Sequence, residues 1–101
     1  MTVATKKDLI DFFINNKYLI KKYGVTRIGL FGSFVRNDQK EKSDIDLLVE
    51  FDPEKKNYDN FIGLTYFIED TTNRKVDVIT PESLSPYIGP HILNEVEYYA
   101  F

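Results

Sequence analysis

Three aspartates occupy positions where aspartate is disfavoured. Asp44 and Asp46 open the apolar run 44–51 (DIDLLVEF), and Asp77 interrupts the alternating run 75–80 (KVDVIT). Strands are depleted in aspartate, so each of these needs a reason. Side chains at i and i+2 of a strand share a face, which puts Asp44 and Asp46 about 7 Å apart at the Cα level. Two carboxylates this close repel, and each raises the other's pKa unless a cation sits between them. Hard oxygen ligands of this kind suit Mg²⁺, which typically takes one or two carboxylates together with phosphate oxygens and water. A third carboxylate from a neighbouring strand, Asp77, completes a two-metal site. Two ions roughly 4 Å apart can stabilise the entering and leaving oxygens of an in-line displacement at phosphorus.

A second cluster lies upstream. Gly32-Ser33 stands between an apolar run, 26–31 (TRIGLF), and a short helical stretch, 33–38 (SFVRND). Glycine lets the backbone approach a phosphate closely, and the first N–H groups of a helix favour an anion. The Ser33 hydroxyl can add a donor, and Arg36, one turn on, carries a fork of donors that suits phosphate. One loop thus offers a phosphate cradle, and a strand beginning 11 residues after Ser33 offers metal ligands.

The elements that must position these groups are legible from periodicity. Residues 5–23 carry apolar positions at helical spacing, with Thr5 as N-cap, Asp8 three residues on and Gly24 at the C-terminal stop. Strands are expected at 26–31, 44–51 and 75–80. A helix is expected at 58–72, with a stripe through Phe61, Leu64, Phe67 and Ile68. Thr80-Pro81 closes the third strand and opens a final helical segment running to about Phe101. The order α-β-(short α)-β-α-β-α predicts an α/β (α+β) fold, with a small mixed sheet of about three strands and helices packed on it.

Composition agrees with one globular domain over residues 1–101: 43% of residues are hydrophobic and 29% charged. Cysteine is absent, which excludes disulfides and zinc–thiolate sites. The polar start MTVATKKDLIDFF is not a signal peptide, and no apolar run nears the roughly 18 residues of a membrane span. A cytoplasmic protein without membrane attachment is expected. The net charge of −3 argues against stand-alone nucleic-acid binding, though not against a nucleotide substrate. No Walker A loop occurs, and Asp44-Ile45-Asp46 lacks the further acids and the glycine of a calcium loop.

The string Gly32-Ser33-Phe34-Val35-Arg36, a polar spacer, then Ser43-Asp44-Ile45-Asp46-Leu47-Leu48-Val49 resembles the DNA polymerase beta superfamily of nucleotidyltransferases, and within it the minimal nucleotidyltransferase (MNT) domains. The resemblance covers nearly the whole chain. One departure is Asn37, where the family usually has glycine; asparagine tolerates the left-handed backbone better than most residues. The resemblance implies that Asp44, Asp46 and Asp77 are catalytic and bind two Mg²⁺ ions, with Asp77 helping to deprotonate an acceptor hydroxyl. It implies that Gly32 and Ser33 hold the phosphates of an NTP, ATP being the expected one. Arg36 would assist them or brace the loop. A nucleoside monophosphate would move to the hydroxyl, with pyrophosphate released.

Family members commonly pair with HEPN-domain proteins in toxin–antitoxin systems. The resemblance therefore implies an antitoxin that adenylylates a tyrosine of a HEPN-type partner. The alternatives are a small-molecule nucleotidyltransferase of the aminoglycoside type, a homo-oligomer building its acceptor pocket, and an antitoxin that neutralises by contact alone. Blander readings exist for each feature: Asp44 and Asp46 as solvated charges at a strand start, Gly32-Ser33 as a plain turn and N-cap, and Arg36 as a surface charge. His91 reads as a structural or surface residue, and the lysine-rich first helix as a solvated face, with partner binding as its alternative. The apolar tail Tyr98-Tyr99-Ala100-Phe101 either packs on the domain or forms an exposed patch.

Overall fold

The chain enters its first helix through a capping box: the Asp8 N–H donates to Thr5 Oγ1 and the Thr5 N–H donates to the Asp8 carboxylate. The computed structural model describes residues 2–101; Met1, the first residue of the expected domain, lies outside them. Helix α1 spans Lys6–Asn15 and α2 spans Lys17–Lys22. The single helix expected over 5–23 is thus broken at Asn16, whose side-chain amide donates to the Phe12 carbonyl at 2.9 Å. An asparagine that bonds its own backbone competes with helix continuation. Gly24 ends α2 with φ +88°, as its position predicted.

Strand β1 (Val25–Phe31) runs into the four-residue helix α3 (Ser33–Arg36), and β2 (Ile45–Phe51) follows. Helix α4 (Tyr58–Thr72) leads to β3 (Val76–Ile79), a 3₁₀ turn (Pro81–Ser83), α5 (Gly89–Glu95) and β4 (Glu97–Ala100). The mixed sheet has the order β3-β2-β1-β4, with β2 antiparallel to β1 and parallel to β3. The expected final helix therefore stops at Glu95, and residues 97–100 form a fourth strand against β1. Tyr99, opposite Ile28, and Phe101 turn inward beside Phe13, with ring centroids 5.7 and 6.1 Å away. Burying these rings on the sheet is what draws the tail out of helix.

The two faces of the sheet have different tasks. One face carries Ile28, Leu30, Ile45, Leu47, Val49 and Val76, sealed in one core with Leu9, Phe12, Ile20, Phe34, Leu64 and Ile68 from the helices. By alternation, the other face carries Phe31, Asp46, Leu48, Asp77 and Ile79. The 3₁₀ turn and α5 lie over that second face. Among the described residues, no helix is long and apolar enough to cross a membrane.

Candidate active site

The register of the sheet brings the sequence-predicted aspartates together. Asp46 is the cross-strand partner of Asp77 on one side and of Phe31 on the other. Directly paired residues project to the same face, so the two carboxylates stand side by side. Asp44 stands exposed just before β2, two residues ahead of Asp46. Arg74 steadies the approach to it, donating to the carbonyls of Lys40 (3.0 Å), Ser43 (2.7 Å) and Val3 while its guanidinium lies over the Phe34 ring.

Gly32 makes this packing possible. Its φ of +77° and ψ of −152° belong to a region that is essentially glycine-only. A Cβ there would lie 2.2 Å from Asp46 Oδ2, so the missing side chain is the space the carboxylate uses. Asn37 ends α3 with φ 59° and ψ 31°, the left-handed backbone that asparagine tolerates better than most residues.

Arg36 does not point at an open cradle. Its guanidinium donates to both oxygens of Glu95 (3.2 and 2.9 Å) and to Asp38 (3.2 Å). The same Glu95 carboxylate accepts the Gly32 N–H at 2.8 Å. Arg36 thus braces the loop through α5. Sequence reading did not single out Glu95 or Arg74, because a lone charge in a helix or turn carries no periodic signal.

Asp46 is half-buried, and its pKa is raised from 3.8 to about 6. Burial is the leading cause, followed by the neighbouring carboxylates of Asp77 and Asp44; Arg36 opposes the rise and Glu95 adds to it. A half-buried acid with two further carboxylates beside it is suited to a cation. The three side chains are not drawn into a closed cluster of metal ligands among the described residues. The donor set instead fits an open site, in which phosphate oxygens and water complete the shell of a hard divalent ion.

Beside Asp77 the second face opens into a hollow of about 320 Å³ between Phe31 and Ile79 on the sheet and Leu84, Ile88 and Ile92 above.

Residues 16–99 match the nucleotidyltransferase domain family. The chain belongs to that family. It is an enzyme that transfers a nucleotide. It is 39% identical over 84 residues to protein adenylyltransferase MntA of Thermococcus cleftensis, covering 83% of this chain and 84% of the relative. It is 46% identical over 77 residues to a candidate protein adenylyltransferase of Methanocaldococcus jannaschii, covering 76% of this chain and 82% of the relative. A solved candidate minimal nucleotidyltransferase superposes with a TM-score of 0.80 at 26% identity, over 96% of this chain and 98% of the other. A toxin–antitoxin structure solved with AMP-PNP shares the fold, with a TM-score of 0.67 at 19% identity, over 86% of this chain and 73% of the other.

Proposed function

We propose that residues 1–101 form one Mg²⁺-dependent nucleotidyltransferase domain that moves AMP from ATP to a tyrosine hydroxyl of a HEPN-type toxin partner, acting as the antitoxin of the pair. The observation that carries the chemistry is the pairing of Asp46 with Asp77 across β2 and β3, with Asp44 two residues ahead of Asp46 and Gly32 leaving the space that the Asp46 carboxylate uses. The relatives' names support protein as the acceptor class and ATP as the donor. The solved toxin–antitoxin structures support the pairing. One of those was solved as a variant with two aspartates, two positions apart, changed to glutamate, the spacing of Asp44 and Asp46.

Asp44, Asp46 and Asp77 would hold two Mg²⁺ ions, which when bound neutralise charge on the phosphates and on the reacting oxygens. The rest is done by the chain's own groups. Gly32, whose N–H is held by Glu95, shapes the loop so that the phosphates can come close, and the Ser33 hydroxyl donates to the outer phosphates of ATP. Arg36 and Glu95 keep that loop in register with Asp46. Asp77 accepts the proton of the acceptor hydroxyl. The hydroxyl oxygen then bonds to the α-phosphorus as the bond from that phosphorus to the bridging oxygen breaks, and pyrophosphate leaves.

The test is transfer from α-labelled ATP to a HEPN partner, with Asp44→Asn/Asp46→Asn as control. Label on a partner tyrosine that is absent with the variant is the expected result. A stable complex that takes no label from any of the four NTPs would overturn the catalytic reading in favour of neutralisation by contact.

A further inference from the structure

The C-terminal strand leaves its outer edge open. β4 is the last strand of the order β3-β2-β1-β4, with β1 as its neighbour on the inner side. The Phe101 N–H donates to the Thr26 carbonyl at 3.0 Å. In an antiparallel ladder, residues that exchange both bonds with the partner strand alternate with residues that exchange none. Tyr99 and Phe101 therefore turn their backbone groups toward β1, and Tyr98 and Ala100 turn theirs outward. Among the described residues, no other backbone group meets Tyr98 or Ala100 on that outer side. β4 also lacks the devices that blunt an edge. It has no proline and no lysine, and its one charge, Glu97, stands at its first position.

An apolar groove of about 530 Å³ runs beside this edge, between Ile10, Phe13, Ile14 and Lys17 on the helices and Tyr99 and Phe101 on the tail. Ile14 is 67% exposed, so the groove continues into open apolar surface. Its two ends differ in charge. At one end Lys6 pairs with Glu97 at 2.8 Å. From there α1 runs the same way as β4, with Phe13 beside Tyr99 and Phe101, which puts Lys17 at the Phe101 end. Among the described residues Lys17 makes no ion pair.

We propose that a second copy of this chain adds its own β4 to this edge, antiparallel and about a two-fold axis at Tyr99. The spacing of the open groups selects that occupant. With the axis at Tyr99, Tyr98 of one copy stands opposite Ala100 of the other, and the two exchange the N–H and carbonyl groups that point outward. The Tyr99 rings of the two copies form a close cross-strand pair on the groove side. The same axis carries Glu97 of each copy to the Phe101 end of the other, where Lys17 stands without a partner. An unrelated strand could meet the backbone groups, but only a self-complementary one also meets both lysines. The added strand lies on the side of β1 away from β2 and β3, so Asp46 and Asp77 stay open. The inference is independent of the functional reading above.

The test is sedimentation of the full chain from micromolar to millimolar concentration, with amide hydrogen exchange measured along the same series. The mass should rise from one chain to two, and the Tyr98 and Ala100 amides should become protected along the same curve. Ala100→Pro removes an outward N–H that β1 does not use, and should raise the dissociation constant at least about tenfold. Unchanged protection of the Ile28 and Leu47 amides would establish that the variant folds. Lys17→Glu leaves the strand untouched and should weaken the dimer more at low salt than at high salt. A single-chain mass at every concentration would overturn the proposal, as would a dimer whose Tyr98 and Ala100 amides exchange freely. Protection of those amides only when a different protein is added would overturn it in favour of a foreign strand.

Discussion

Replacing Gly32 with alanine adds one carbon atom at the point where the backbone and the Asp46 carboxylate meet. The Cβ would fall 2.2 Å from Asp46 Oδ2 and 3.0 Å from its Cγ, so the carboxylate must retreat by about 1 Å to reach ordinary contact. The backbone at φ +77°, ψ −152° adds strain of about 1–3 kcal/mol for any residue with a side chain. For a domain of this size, that lowers the melting temperature by on the order of 10 °C. Misplacing a reacting group by about 1 Å typically lowers turnover by roughly 100-fold. Calorimetry and label transfer, measured below the variant's melting point, separate the two effects. A Gly32→Ala chain with wild-type melting and wild-type transfer would refute the reasoning, because it would mean that Asp46 does not work from the place it occupies here.

Other substitutions probe the surrounding contacts. The folded-state pKa of Asp46, about 6, lies above its ordinary 3.8. Folding therefore favours the protonated acid, and that stability is present below pH 3.8 and lost as the pH rises through about 6. In metal-free buffer Asp46→Asn should thus stabilise the chain at pH 7.5 by on the order of 1 kcal/mol after solvent screening, and have little effect at pH 4, as read by thermal melts. Added Mg²⁺ should raise the melting temperature of the unsubstituted chain but not that of Asp44→Asn/Asp46→Asn. Glu95→Ala leaves the Gly32 N–H and the Arg36 guanidinium without their shared acceptor, and should lose about 1 kcal/mol in denaturant melts; Glu95→Gln keeps an oxygen for Gly32 and should recover part of it. Arg74→Ala strips partners from the carbonyls of Val3, Lys40 and Ser43, and should lose about 1–3 kcal/mol and lower transfer by loosening the approach to Asp44.

The strands that carry the aspartates were legible because their signal is local. Alternation at 75–80 and the apolar run at 44–51 placed Asp46 and Asp77 on strands, and the sheet then set them side by side. The cap at Thr5 and the stop at Gly24 were legible for the same reason, since each depends on one residue's backbone preference; the short helix expected over 33–38 ends earlier, at Arg36, because Asn37 takes the left-handed backbone. The C-terminal strand was not. Residues 97–100 (EYYA) are too few to show a period, and only pairing with β1 and the packing of Tyr99 and Phe101 on Phe13 make them extended. Asn16 hides a helix break inside an amphipathic pattern that continues on both sides of it. The donors of Arg36 suit either a phosphate or a brace on the loop, and its partner Glu95, 59 residues away, is a contact that only the fold brings together.

The most direct test of the central claim is to run the transfer reaction twice, with ATP labelled at the α-phosphate and with ATP labelled at the γ-phosphate. A nucleotidyltransferase built on Asp44, Asp46 and Asp77 predicts label on the partner's tyrosine from α-labelled ATP only, with the γ-label released in pyrophosphate, and loss of the signal with Asp77→Asn. Label arriving from the γ-phosphate, or α-label transfer that persists in Asp77→Asn at the rate of the unsubstituted chain, would contradict it.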